Sequence, residues 1–258
     1  MRKLLVALAS AAAALVAFAT PSAASAADYV VHVHGRTQTT WTNTWYSMSG
    51  WTNVKCDYEA KYNTLAQSNV TVRSCLSSYC TGANRCILVG YSNGNHQIQY
   101  TQTHYPGSLT NLLYVEAGGS AVGGSELADA AQPIQNFLDW FGGSFEVFYA
   151  NGVDATLTVS GARNAYNHDV HNGKTTYHTV GNTDAFNGLW WLTAGILPGD
   201  DDGVVAFHSA FGCRNSGSQT YSCSKWNGHV ADTYCNSNNG IWNSKDHFSM
   251  DERASWCY

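Results

Sequence analysis

The stretch Cys86-Ile87-Leu88-Val89-Gly90-Tyr91-Ser92-Asn93-Gly94 is a short apolar run that delivers a serine inside Gly-x-Ser-x-Gly. A buried strand running straight into a serine between two glycines is the pattern of a strand-to-helix nucleophile elbow. The serine at such a turn takes a strained backbone, and strand and helix must approach closely around it. Small residues at positions 90 and 94 leave that room. A chain with 24 glycines also produces this pentapeptide in ordinary glycine turns, so the preceding apolar strand is what gives it weight.

The chain opens Met1-Arg2-Lys3, continues with an apolar stretch from Leu4 to Phe18 and reaches Ala24-Ser25-Ala26. Positive start, apolar middle and small-residue end predict a secretory leader over residues 1–26, cleaved after Ala26. The stretch is too short and alanine-rich for a membrane span, and no later segment reaches about 18 uninterrupted apolar residues. Residues 27–258 are read as one exported domain without stable membrane insertion, since no proline-rich or charged linker divides them. The 13 basic and 18 acidic residues give a formal net charge of −5, and loss of Arg2 and Lys3 makes it more negative. Nucleic acid is thereby disfavoured as a partner.

All eight cysteines lie after the leader, at positions 56, 75, 80, 86, 213, 223, 235 and 257. An even number in a chain bound for an oxidising compartment predicts disulfides. Two clusters imply pairing within each half: two bridges among residues 56–86 and two among 213–257. Zinc is the rival role, but no Cys-x-x-Cys pair is present.

Tyr29 to Gly35 reads as a β-branched strand ending in glycine. The apolar spacing of Tyr58, Ala60, Tyr62, Leu65 and Ala66 predicts a helix over 57–72. The strand at Ile87–Val89 leads into a helix from Gly94 to about His104, closed by Tyr105-Pro106-Gly107. That helix is unusually polar for one packed under a nucleophile. A strand at Leu112–Val115, a helix over Leu127–Phe141 and strands at Ala155–Val159 and Thr175–Val180 follow. Alternating strands and helices predict an α/β architecture with a mostly parallel central sheet and helices on both faces. Residues 213–258, rich in Cys, Asn, Ser and Trp, read as a disulfide-stapled, loop-rich region.

The order of four motifs resembles the bacterial secreted lipases and esterases of the α/β-hydrolase family. They are His32-Val33-His34-Gly35, Gly90 to Gly94, Gly123-Gly124-Ser125-Glu126-Leu127-Ala128-Asp129, and Asp202-Gly203-Val204-Val205. A further segment, Asp246-His247-Phe248-Ser249-Met250-Asp251, is similar to the family's closing histidine region. Tyr91 and Asn95 depart from the family's usual Gly-His-Ser-x-Gly-Gly. The resemblance implies an α/β-hydrolase fold with an acyl-enzyme mechanism on Ser92, and it implies backbone N–H groups facing the substrate carbonyl after the His-Gly strand end.

Serine becomes a useful nucleophile when an imidazole takes its proton and a carboxylate orients that imidazole. Chain order Ser, Asp, His fits the α/β-hydrolase plan. The candidate catalytic set is Ser92, Asp202 and His247, with the backbone N–H groups of Arg36 and Asn93 as the oxyanion hole. Asp200 and Asp201 compete with Asp202, since an acidic run is commonly a solvated loop or a weak Ca²⁺ site. His229 competes with His247, and His208 is read as structural. His168 and His171 have ligand-like spacing and His178 lies nearby, but the loop signals Asn167 and Gly173 favour hydrogen-bonded structural histidines over a metal. The chemistry calls for no cofactor.

Aromatics between Phe137 and Phe148, and the pair Trp190-Trp191, are candidate walls of an acyl pocket. The substrate expected is a small-molecule or lipid ester with an apolar acyl or aryl group. An amidase or acyltransferase would use the same residues. A non-catalytic extracellular binding protein, for carbohydrate or an apolar ligand, is the reading from outside enzymology.

Overall fold

The strand that ends at Ser92 lies inside a parallel sheet whose order reverses beside it. In this computed structural model the described residues are 26–36, 47–130, 152–183, 195–214, 223–233 and 240–252. Residues 1–25 of the expected leader, the aromatic stretch Phe137–Phe148, Trp190-Trp191, Cys235 and Cys257 lie outside them. The strands are β1 (Asp28–Val33), β2 (Thr52–Cys56), β3 (Arg85–Tyr91), β4 (Leu112–Gly118), β5 (Thr176–Gly181), β6 (His229–Ala231) and β7 (Ile241–Trp242). The sheet order is β2-β1-β3-β4-β5-β6, with β7 also pairing β5, and all these pairings are parallel.

The chain steps outward from β1 to β2 and then returns to place β3 on the other side of β1. Between β1 and β3 the sheet therefore has its switch point, where the strands' carboxyl ends leave a crevice for ligand. Val33 pairs Gly90 there, so the two candidate oxyanion segments and Ser92 emerge side by side.

Buried side chains alternate between the sheet faces, as the strand period of two requires. Val31, Val33 and Leu88 pack with Val72, Leu76 and Ile98 of the helices α1 (Leu65–Cys80) and α2 (Asn93–His104). Val30, Ile87 and Val89 face the other way, toward Met250, Trp51 and Trp242. Among the described residues, one face is thus covered by long helices and the other by the turn of helix Phe248–Glu252 and its neighbours. From Cys86 onward β3 is buried on both sides, which is why it reads as one apolar run.

Three expectations are corrected. The helix predicted over 57–72 begins instead at Leu65 and runs to Cys80. Thr64 and Gln67 form a reciprocal capping box, with the Gln67 N–H donating to Thr64 Oγ1 (3.3 Å) and the Thr64 N–H to Gln67 Oε1 (2.8 Å). Upstream, the Glu59 carboxylate accepts from the N–H groups of Lys61 and Tyr62 and turns the chain away from helix.

The strand predicted at Ala155–Val159 is two short helices, Asp154–Leu157 and Val159–Asn164. Thr158 stays extended between them, and its hydroxyl accepts from the Gly161 N–H at 2.9 Å. Local capping overrides the strand preference of a Thr- and Val-containing segment. The C-terminal region, read as loop, contributes β6 and β7 to the edge of β5. β6 pairs Thr176 to His178, and β7 takes over at Val180 and Gly181.

Disulfides join Cys56 to Cys75, Cys80 to Cys86 and Cys213 to Cys223. The first two tie β2 to α1 and the end of α1 to the start of β3, giving the pairing within residues 56–86 that the clustering predicts. No helix among the described residues is long and apolar enough to cross a membrane.

Candidate active site

Ser92 sits between β3 and α2 with φ 51° and ψ −121°, a conformation L-residues rarely adopt. The turn is held by its N–H donating to the Gly118 carbonyl (3.0 Å) and by its own carbonyl accepting from Asn95 and Ala121. Neither flanking glycine has room for a side chain. A Cβ on Gly94 would lie 2.0 Å from the Val33 carbonyl oxygen, and one on Gly90 would lie 2.1 Å from Asn95 Oδ1. The Asn95 amide donates to the Gly90 carbonyl at 2.9 Å. Asn95 thereby closes the elbow with a hydrogen bond.

His247, Asp202 and Ser92 form one hydrogen-bonded chain. His247 Nε2 lies 3.0 Å from Ser92 Oγ, and His247 Nδ1 lies 2.8 Å from Asp202 Oδ2. Asp202 is fully buried, and its second oxygen accepts from the N–H groups of Val204 (3.1 Å) and Val205 (2.8 Å). The carboxylate is thereby aimed at the imidazole with both lone pairs of its other oxygen satisfied. The main chains meet too: the His247 N–H donates to the Asp202 carbonyl at 2.8 Å, and the Tyr91 hydroxyl donates to the His247 carbonyl at 2.9 Å. Gly119, with φ +48°, allows close approach, since a Cβ there would lie 3.1 Å from His247 Nδ1 and 3.2 Å from Asp202 Oδ2.

The rivals are occupied elsewhere. His229 is buried, with Nδ1 2.7 Å from His178 Nε2 and Nε2 2.6 Å from the Gln99 amide nitrogen. Asp201 Oδ1 accepts from the Gly203 N–H at 2.7 Å, shaping the acidic loop. His208 Nε2 lies 2.9 Å from a Glu126 carboxylate oxygen.

His168 stacks on Trp226 with ring centres 4.1 Å apart, and its Nε2 is 2.9 Å from the Ala162 carbonyl. His171 Nδ1 is 3.1 Å from the Lys174 carbonyl. Among the described residues no three His, Cys, Asp or Glu side chains gather as a metal site. Burial pushes the imidazoles of His96 and His229 down to about 3 and that of His168 to about 4, and it holds His178 well below its ordinary value.

Several polar groups of α2 are hydrogen-bonded to the chain around them. His96 Nδ1 lies 2.6 Å from the Tyr166 hydroxyl, and the Gln99 amide donates to the His168 carbonyl at 3.0 Å. The Asn69 amide of α1 donates to the Gln97 carbonyl and to Thr101 Oγ1. The helix behind the serine is thus clamped by directional bonds, whereas apolar packing alone would let it slide.

Arg36 and Asn93 flank the serine. Asn93 begins α2, and N–H groups in a helix's first turn have no intrahelical carbonyl to bond. The Arg36 guanidinium makes a buried two-point ion pair with Asp154, through Nε to Oδ1 and through Nη2 to Oδ2 at 2.6 Å. His34 is buried and stacked on Tyr58, ring centres 4.2 Å apart at 18°. The Tyr58 hydroxyl donates to the His34 carbonyl at 2.7 Å and accepts from the Asn93 amide at 3.2 Å.

Sequence reasoning missed Tyr58, Asp154 and the buttressing role of Tyr91. Their partners lie 24, 118 and 156 positions away, so no local spacing could reveal them.

No protein-family profile and no curated protein sequence matches the chain. Among solved structures, the mature form of Bacillus licheniformis lipase BlEst2 superposes with a TM-score of 0.57 at 20% identity, covering 89% of this chain and 88% of that one. Staphylococcus hyicus lipase gives 0.56 at 13% identity over 92% of each chain. The metagenomic carboxyl esterase MGS0156 gives 0.55 at 14% identity, over 72% of this chain and 60% of that one. The chain shares the α/β-hydrolase fold with these lipases and esterases.

Proposed function

We propose that the protein is a secreted hydrolase of carboxylic esters, of lipase or esterase type, with residues 1–26 as its leader and 27–258 as its single catalytic domain. The observation that carries the reading is the unbroken chain from Ser92 Oγ through His247 to Asp202, at 3.0 and 2.8 Å. The named activities of the lipases and esterase that share the fold support it.

Ser92 Oγ attacks the ester carbonyl carbon while its proton passes to His247 Nε2. Asp202 holds the tautomer with Nδ1–H and stabilises the imidazolium that forms. The carbonyl oxygen, now an oxyanion, takes hydrogen bonds from the N–H groups of Asn93 and Arg36. Collapse of the tetrahedral intermediate breaks the C–O bond to the alcohol, whose oxygen receives the proton from His247. Water then attacks the acyl-enzyme by the same route and frees the acid and Ser92.

The test is hydrolysis of a series of p-nitrophenyl esters by the protein exported with its disulfides formed, beside Ser92→Ala. Turnover that falls at least about 1000-fold in the variant is expected. Turnover retained by Ser92→Ala, or none by the unmutated protein, overturns the reading.

A further inference from the structure

The two segments that flank the serine leave different parts of the fold, β1 and the start of α2, yet one side chain bonds to both. Tyr58 lies just after β2, buried, and reaches the carboxyl end of β1 with both its N–H and its hydroxyl. Its N–H donates to His34 Nε2 at 3.3 Å, and its hydroxyl donates to the His34 carbonyl at 2.7 Å. Because a backbone N–H can only donate, Nε2 is the acceptor and the proton sits on Nδ1. From there it is donated to the Gly35 carbonyl at 2.7 Å. The imidazole is thus neutral with a single tautomer, and both carbonyls preceding the Arg36 N–H are bonded.

The hydroxyl oxygen also accepts from the Asn93 amide at 3.2 Å, which ties this assembly to the residue after the serine. A phenol has one proton to give and can accept in return, so it can serve both segments at once. Gly35 allows the close approach, since a Cβ there would lie 2.9 Å from the Tyr91 ring and 3.3 Å from Ser92 Cβ.

We propose that Tyr58 is a positioning residue that sets the separation of the Arg36 and Asn93 N–H groups to fit a tetrahedral oxyanion, by hydrogen bonding at once to the His34 carbonyl and the Asn93 side chain. The proposal rests on the ester-hydrolase reading above. Its direct consequence is kinetic: the bonds concern where charge develops in the transition state and leave ground-state binding alone. The buried ion pair of Arg36 with Asp154 fixes the far side of the same turn, so the hydroxyl of Tyr58 governs the gap between the segments.

The test compares the unmutated protein with Tyr58→Phe, Asn93→Ala, the double variant and Ser92→Ala. The readouts are kcat and KM on one p-nitrophenyl ester, the inhibition constant of an alkyl boronic acid, and a thermal melt. Tyr58→Phe keeps the ring stack and the backbone donor and loses only the hydroxyl. Expected are a drop in kcat of about 10- to 100-fold with KM within about twofold, an equal weakening of the boronic acid, and a double variant no worse than the poorer single one. Should Tyr58→Phe fail to fold, Asn93→Ala carries the same kcat and boronic acid prediction.

Hydrolysis lost in Ser92→Ala but kept at full kcat in Tyr58→Phe, or a loss confined to KM, removes the role of Tyr58 alone. Hydrolysis that survives Ser92→Ala removes the reading beneath it and this role together.

Discussion

Holding Ser92 at φ 51° costs on the order of 1–3 kcal/mol, and the turn endures because its neighbours leave it no alternative. Gly94 is the sharpest example. Gly94→Ala pushes a methyl group into the Val33 carbonyl, 2.0 Å away, so β1 and α2 must separate at the switch point. The expected outcome is a fall in kcat of at least about 100-fold together with a lower melting temperature, read by kinetics and thermal denaturation. A folded and fully active Gly94→Ala contradicts the close approach.

Asp202→Asn is the complementary test, since it keeps the shape and removes the charge. An amide at this position can present its N–H₂ to His247 Nδ1 and favour the wrong tautomer. The ester-hydrolysis rate should then fall about 10⁴-fold while the melting temperature stays near that of the unmutated protein. A small effect on rate would mean that Asp202 only anchors the loop.

The elements behind these residues divide into those the sequence announces and those it hides. β3 is legible because a strand buried on both faces is a plain apolar run, and α2 because glycines and Tyr105-Pro106 bound it. β2 is hidden: Thr52-Asn53-Val54-Lys55-Cys56 lies at the sheet edge, half exposed, and carries no clear alternation. α1 is displaced by about two turns in the reading because the aromatic spacing at 58 and 62 mimics a helix. Tyr58 instead serves the crevice, and Tyr62 is exposed. Ser92, Asp202 and His247 could be singled out from short motifs in chain order, whereas only the fold brings His229 to His178 and leaves His247 beside the serine.

The polar clamp on α2 has a pH consequence. His96, His168, His178 and His229 are buried in the neutral form, with their imidazoles held far below the ordinary value of 6.5. Below about pH 6.5 the unfolded chain binds protons that the folded chain refuses, so stability is full above that pH and declines as pH falls toward 4. Thermal melts from pH 8 to pH 4 should show the midpoint falling from about pH 6.5 downward, with the part above about pH 5 preceding carboxylate protonation. A midpoint flat from pH 6.5 to 5 would show these histidines to be protonated or exposed.

Across the molecule, the sheet and its covalent ties work together. The Cys56–Cys75 bridge closes a loop of 19 positions between the β2 edge and α1, for which chain entropy gives a contribution of about 3 kcal/mol. Replacing both cysteines by alanine should lower unfolding stability by about 2–4 kcal/mol in denaturant titration, with activity retained under mild conditions. The pairing could be inferred by cluster from the sequence, but which cysteine meets which depends on where the fold brings α1 against β2 and the start of β3.

The proposed hydrolysis depends on a hydroxyl made nucleophilic by an imidazole 155 positions further along the chain. Its most direct test is exposure of the disulfide-bonded protein to a fluorophosphonate probe, followed by mass spectrometry of the labelled peptide. Covalent phosphonylation of Ser92, lost in His247→Ala and kept in His229→Ala, is the predicted result. An unlabelled Ser92 in folded protein, or labelling that survives removal of His247 at an undiminished rate, would contradict it.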